Sequence, residues 1–365
     1  MATPITEPQV TIIVSPRERF SYTRQSLESI YEQTKHPFKL IYVDGGSPEN
    51  VKTYLEQAAK EKGFELIRCD YYLSPNQARN IGLARVVDSK YVVFVDNDVE
   101  VTPGWLGKLV ECAEQTDATV VSPLICQGTP VHEIVHCAGG ESGVLLDNKG
   151  DKVRRRILEK IYKQGRKVTD VRDQLKRGET GLAEFHCMMV RTDIFAKIGQ
   201  IDEGMLNTKE HVDFCMTVVE AGGTVYLEPN SLVTYVPGPP LELSDMAFYM
   251  LRWSDAWELA SLKHLLSKWD LTEDEYFKGR YGRLGWRRHM TLVDPWVMRL
   301  SFGQNKSLWK RVVRKAFVVT DKTINKYITN RYAQSKPQQP PAQVVTTGRV
   351  CNNCIISQLT CKQQQ

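Results

Sequence analysis

Four short, largely apolar runs constrain this chain more than any other feature: VTIIV (Val10–Val14), LIYV (Leu40–Val43), LIRC (Leu66–Cys69) and YVVFV (Tyr91–Val95). Runs rich in β-branched residues, without polar alternation, predict strands buried on both faces. Helical spacing fills the gaps. Leu27, Ile30 and Tyr31 follow the first run, and Val51, Tyr54, Leu55, Ala58 and Ala59 follow the second at i, i+3, i+4, i+7 and i+8. Strand alternating with helix predicts a mostly parallel sheet covered on both sides. Ligands bind such sheets beyond the carboxyl ends of the strands. Pro16, Asp44 and the run Asp96-Asn97-Asp98 each follow a strand end, so three strands deliver polar residues to one rim.

Ser47-Pro48, Ser74-Pro75 and Thr102-Pro103 read as cap-and-proline helix starts. The third opens a helix with Leu106, Leu109, Val110 and Ala113 on one face. Residues 128–180 are rich in Gly and charge and read as a long loop excursion. Val225–Leu227 and Leu232–Val236 read as later strands. Met246, Tyr249, Met250, Trp253, Trp257 and Ala260 predict one long helix, whose stripe is either core or an acceptor-facing surface. KPQQPP (336–341) reads as a linker, and the Cys-containing remainder as disordered.

The net charge of +5 is unevenly spread: residues 276–336 carry 15 Lys and Arg against Asp294 and Asp321. A basic C-terminal third on an acidic body suggests contact with an anionic surface. Within Asn305–Val318, Trp309, Val312, Val313, Ala316 and Phe317 line one helical face, and Lys306, Lys310, Arg311, Arg314 and Lys315 take other positions. That pattern suits an interfacial helix on an anionic membrane. No recognition motif for nucleic acid accompanies the charge. No apolar run reaches the ~18 residues of a membrane span, and residues 1–9 do not read as a signal peptide. A cytoplasmic protein, peripheral on the inner face of the membrane, is the expectation. Six of the nine cysteines are scattered singly and read as reduced core residues; Cys351, Cys354 and Cys361 cluster without a fourth metal ligand.

Asp96-Asn97-Asp98 is the strongest chemical signal. Two carboxylates at i and i+2 on a strand end reach one hard cation, Mn2+ or Mg2+, which bridges them to a diphosphate. A dinucleotide oxidoreductase is unsupported, since no GxGxxG follows the first strand, and no GxSxG marks a serine hydrolase.

The pieces VTIIVSP, QSLESIYEQT, IYVDGGSPEN, ARNIGLA, YVVFVDNDVEV and TPGWLGKLV together resemble the nucleotide-sugar-binding half of family 2 glycosyltransferases. AEFHCMMVRTDIFAKIGQIDEGM continues the resemblance, which runs from Val10 to Tyr235. It implies a GT-A fold, Rossmann-like, with a mostly parallel central sheet flanked by helices and a C-terminal helical extension. Residues 1–240 would form the GT-A domain, its nucleotide-sugar half at about 10–125 and its acceptor half at about 126–240. Residues 241–335 would be the helical basic extension, and 336–365 the tail.

The resemblance also implies an inverting, metal-dependent transfer from a nucleotide-diphosphate sugar, a UDP-sugar by expectation, to a glycan or lipid-linked acceptor. Pro16, Glu18 and Asp44 match positions that contact base and ribose, Arg79 an arginine near the donor phosphates, and Asp96 and Asp98 the metal-site acids. An Asp carboxylate suits the imide N–H of uracil. The family has Glu-Asp where this chain has Glu210-His211, so both stand as candidate base. On a helix they point about 100° apart, and Asp213 shares the face of Glu210. His186, within an apolar strand, is a pocket residue or a ligand; no His lies near Thr234–Val236, which leaves a third metal ligand unassigned. Two rivals remain. A sugar nucleotidyltransferase would carry glycine in the loop Pro16–Phe20, and a non-catalytic nucleotide-sugar-binding scaffold would lack a base.

Overall fold

The computed structural model describes residues 9–149, 152–237, 241–301, 308–335 and 343–345. The apolar runs become β1 (Val10–Ser15), β2 (Lys39–Gly45), β3 (Glu65–Cys69) and β4 (Tyr91–Asp96), separated by α1 (Thr23–Gln33), α2 (Glu49–Lys62) and α3 (Pro75–Leu83). They lie parallel in the spatial order β3-β2-β1-β4. The chain continues through β5 (Val99–Val101), α4 (Trp105–Thr116), β6 (Val120–Gln127), β7 (Val135–Cys137) and the hairpin of β8 (Gly140–Lys149) and β9 (Lys152–Ile161). Then come α5 (Val168–Val171), β10 (Gly178–Glu179), β11 (Cys187–Arg191), α6 (Phe195–Ile198), α7 (Glu210–Glu220) and β12 (Val225–Tyr235). β11 is antiparallel to both β4 and β6, and β12 is parallel to β6. The product is the expected GT-A arrangement, a mixed but mostly parallel sheet between helical layers.

The unalternated pattern of the strands has a direct cause: both faces are covered. Val10, Ile12 and Val14 of β1 enter the core with Leu27, Leu55 and Leu106, while Ile13 enters the opposite core with Ala78, Val212 and Leu262. α3 approaches especially closely, and a Cβ on Gly82 would lie 2.5 Å from Ile13 Cγ2.

The C-terminal region is helical: α8 (Met246–Arg252), α9 (Asp255–Lys268), α10 (Glu275–Tyr281), α11 (Trp286–Arg288), α12 (Asp294–Leu300) and α13 (Leu308–Ser335). A short β13 (Gln343–Val345) pairs antiparallel with β3.

Several local expectations change. Residues 128–180 are not one loop: β8 and β9 pair over their full length, and Val144, Ile157 and Ile161 pack on the core. The arginines of β9 masked its alternation. α2 starts at Glu49, because Ser47 turns back, its N–H and hydroxyl both donating to Asp44 at 3.0 and 2.8 Å. α4 starts at Trp105, and the Thr102 hydroxyl donates instead to the Leu232 carbonyl at 2.8 Å. Only Ser74-Pro75 opens its helix as expected, with Gln77 accepting from the Ser74 N–H at 3.3 Å.

The Met246–Ala260 stripe is two helices, broken at Trp253 and restarted by Ser254, whose hydroxyl accepts from the Trp257 N–H. The apolar face of α13 is also divided. Val313 packs with Val293 and Val297, whereas Trp309 and Val312 are 58% and 60% exposed. Lys306, the linker 336–341 and Cys351, Cys354 and Cys361 lie outside the described residues. The six body cysteines are buried and free. Among the described residues, no helix is long and apolar enough to cross a membrane.

Candidate active site

β4 ends at Asp96, and Asp96, Asn97 and Asp98 are all fully buried. Asn97 fastens the loop after β1 above the two acids. Its Oδ1 accepts from the Arg17 N–H at 2.9 Å, its Nδ2 donates to the Arg19 carbonyl at 2.8 Å, and its own N–H donates to the Ser15 carbonyl at 3.0 Å. Pro16 sits inside this latched loop.

Asp96 is crowded with cations. Arg79 Nη2 donates to its Oδ1 at 3.1 Å, while Arg17 Nε and His186 Nδ1 stand 3.4 and 3.0 Å from its Oδ2. Burial still lifts its carboxyl above the usual range, against the pull of Arg17, Arg79 and Arg252. Asp98 is pushed higher by burial, with Asp96 and Glu18 adding to the effect. Neither Asp98 oxygen has a hydrogen-bond partner among the described residues. A buried carboxylate left that way is costly unless a cation satisfies it.

Asp96, Asp98 and His186 bring ligand atoms within 4.8 Å of one another. Burial, then Arg17 and His136, hold the His186 imidazole neutral. Two carboxylates and a neutral imidazole fit a divalent cation, so His186 stands as a candidate third ligand. His186 also stacks on Tyr235 at 3.8 Å and belongs to a second such group with His136 and Glu184.

Glu210 begins α7, preceded by Lys209 in the left-handed region at φ 66°. A non-glycine residue held there stores strain of about 1 kcal/mol, and it aims the first helical side chain inward. The Glu210 carboxylate lies 3.1 Å from Arg252 Nη2 and 3.4 Å from Arg17 Nη1. Burial alone would raise its pKa, but Arg252, Arg17 and Arg79 hold it below the usual range. His211 turns the other way, its Nε2 3.2 Å from Glu159 and 3.4 Å from Glu184. Burial works against its charge, but Glu184, Glu159 and Glu210 win and raise its pKa. Asp213 leaves the site altogether, accepting from Lys268 Nζ and Trp269 Nε1, each at 2.8 Å.

Glu18 is fully buried and paired with Arg287 of α11, which also donates to the Tyr235 hydroxyl at 2.9 Å. Trp253 collects three guanidinium groups on its ring: Arg287 at 4.3 Å, Arg252 at 4.7 Å and Arg17 at 5.7 Å. Burial pushes Arg252 down to about 9, against Glu210. Asp44 stands further along the rim, bonded to Ser47 and to Arg68. Burial raises its carboxyl, and Arg68 and Ser47 oppose.

Six residues singled out in the sequence therefore meet in one cluster, Glu18, Arg79, Asp96, Asp98, His186 and Glu210, while His211 stands behind it against Glu159 and Glu184. The partners that sequence reasoning missed arrive from distant elements. Arg252 and Arg287 come from the helical extension, Glu159 from β9, and Glu184 from the loop before β11. Only Arg17, in the polar loop PRER after β1, carried a local signal.

The chain is similar to several known proteins. A pre-mycofactocin glycosyltransferase of Mycobacterium tuberculosis is 25% identical over 226 residues, covering 62% of this chain and 42% of its own. An uncharacterized glycosyltransferase of Haemophilus influenzae is 31% identical over 111 residues, covering 30% and 34%. The chain thus spans less than half the length of these curated relatives. Among solved structures, a mannosyltransferase, PcManGT of Pyrobaculum calidifontis in complex with GDP-Man and Mn2+, overlaps 90% of this chain and 85% of its own at 15% identity and a TM-score of 0.46. The model of glycosyl transferase family 2 matches residues 11–199, more than half of the chain, and the chain belongs to that family.

Proposed function

We propose that this chain is a metal-dependent, inverting glycosyltransferase that moves a sugar from a nucleoside-diphosphate donor, a UDP-sugar, to a hydroxyl of a glycan or lipid-linked acceptor. The observation that carries the reading is Asp98, buried with both oxygens unpartnered beside Asp96 and His186. Those three residues would hold Mn2+ or Mg2+, which neutralises charge on the departing diphosphate when bound.

The chain's own residues have separate tasks. Arg79 and Arg17, already against Asp96, supply fixed positive charge near the leaving diphosphate. Glu210 accepts the proton of the acceptor hydroxyl as that oxygen bonds to the anomeric carbon. The bond from this carbon to the diphosphate oxygen breaks with its electron pair. Glu210 is preferred to His211 as base on electrostatic grounds. Arginines keep Glu210 ionised and ready to take a proton, whereas glutamates favour the His211 cation, which has no free lone pair. Pro16, Glu18 and Asp44 bind the nucleoside end by correspondence with the family. An ionised base in place argues against a mere scaffold.

A peripheral membrane location extends the same reading. Trp296, Met298, Leu300 and Trp309 are between 41% and 58% exposed. They adjoin one another and basic groups, since Trp309 Nε1 donates to the Leu300 carbonyl at 3.1 Å and Arg299 lies over Trp296. Exposed tryptophan beside Arg and Lys suits an anionic leaflet.

A thermal-shift panel of nucleotide sugars with and without Mn2+ tests the donor assignment. A UDP-sugar is expected to raise the melting temperature only when the metal is present. No response to any nucleotide sugar in Mn2+ contradicts the proposal.

A further inference from the structure

Beside Glu210 lies a cavity of about 300 Å³ whose lining includes Lys209, Trp253, Arg280, Arg283, Trp286 and Arg287. It opens between the start of α7 and the helices of the extension. Four of these side chains are cationic and two are indoles. Glu258, which accepts from Arg280 Nη2 at 2.9 Å, is the acid among the lining residues. Lys209 is paired with Glu159 and Arg287 with Glu18. Arg283 is different: its Nε donates to the Gly279 carbonyl at 3.1 Å, and no carboxylate reaches it among the described residues.

Two further donors are left over. Trp253 Nε1 and Arg280 Nε are buried without a hydrogen-bond partner among the described residues. Unused N–H donors on cationic and indole groups, gathered around one cavity, call for an anion with several acceptor oxygens. Trp253 is also the ring on which Arg17 and Arg252 gather, and both of those arginines contact Glu210. The cavity therefore adjoins the base, through Lys209 and Trp253 in its lining.

We infer that this cavity binds a phosphoryl group carried by the acceptor, so that the enzyme's acceptors are phosphorylated. The inference rests on the glycosyltransferase reading and names the acceptor class for it. Arg283 and Arg280 hold the phosphate oxygens, and Trp253 donates its N–H while its face keeps the neighbouring guanidinium groups in place. Trp286, 55% exposed, forms the lip over which the rest of the acceptor leaves. A lipid headgroup and a soluble glycan precursor are the two sources of such a phosphate, and both present the same oxygens.

Calorimetry with phenyl phosphate tests the inference on the full chain already saturated with UDP and Mg2+, so that the donor site is filled. Saturable binding is expected, weakened at least tenfold in Arg283→Gln and partly restored in Arg283→Lys. Competition by vesicles containing phosphatidic acid, or by glycerol 3-phosphate alone, assigns the source as lipid or soluble, and either result supports the cavity. Absence of saturable binding to the loaded protein overturns the inference, as does unchanged affinity in both Arg283→Gln and Arg280→Gln. If UDP itself fails to bind, the donor reading is what fails. The same titration in EDTA then still reads the cavity.

Discussion

Arg287→Met is the perturbation whose consequences the structure specifies most fully. Arg287 reaches from α11 to Glu18, which is fully buried in the loop after β1. Opposite unit charges about 4 Å apart attract by about 4 kcal/mol at an effective dielectric near 20. The Arg287 side chain is 29% exposed, so water screens part of this. Repulsion from Arg17 and Arg252, which share the Trp253 ring, removes a further part. Against these discounts, Glu18 left alone is a buried charge without its guanidinium, a situation that costs about 3–5 kcal/mol when fully enclosed. The balance predicts a loss of about 2 kcal/mol for Arg287→Met. Glu18→Gln with Arg287→Met removes both charges, and the pair should show a coupling energy of about 1.5 kcal/mol. Urea denaturation of the wild type, both single variants and the double variant measures the cycle. A loss under about 0.5 kcal/mol for Arg287→Met, or strict additivity, refutes the claim that this ion pair fastens the extension to the loop after β1.

Glu210→Gln should lower turnover by roughly 10²–10⁴ while donor affinity holds; His211→Asn should cost less, and the opposite order measured by steady-state kinetics reverses the base assignment. Gly82→Val places side-chain atoms where a Cβ alone would already lie 2.5 Å from Ile13, so the urea midpoint should fall by the equivalent of about 1–3 kcal/mol. Trp296→Ser with Trp309→Ser should reduce co-sedimentation with anionic vesicles and leave the fold intact by circular dichroism, since both rings are more than half exposed. Equal sedimentation counts against the membrane face.

The sheet was legible because its strands are buried on both faces, which forces continuous apolar runs such as YVVFV. The placing of Asp96 and Asp98 together at the rim was legible for a related reason, since both follow the end of a strand in a doubly covered sheet. The β8–β9 hairpin was not, because solvated arginines interrupt its alternation and its pairing is set by a partner strand. Ser47 and Thr102 looked like helix caps, yet each hydroxyl found a better acceptor, in Asp44 and in the Leu232 carbonyl. The choice between Glu210 and His211 could not be made from two adjacent letters. It depends on Arg17 and Arg252 on one side and on Glu159 and Glu184 on the other, residues that only the tertiary fold assembles. Trp253 was legible as an aromatic on a helical stripe, but its role as a platform for three arginines depends on Arg17 and Arg287, which arrive from a loop and a helix far away in sequence.

If Asp96, Asp98 and His186 form the proposed metal-dependent donor site, calorimetric titration of UDP will register it. The wild type should bind UDP at least about 100-fold more tightly in Mn2+ than in EDTA, a difference of about 2.8 kcal/mol. Asp98→Asn should lose that difference while remaining folded. Equal UDP affinity with and without Mn2+ in the wild type, or a full metal response in Asp98→Asn, would rule out a metal-dependent donor site at these residues.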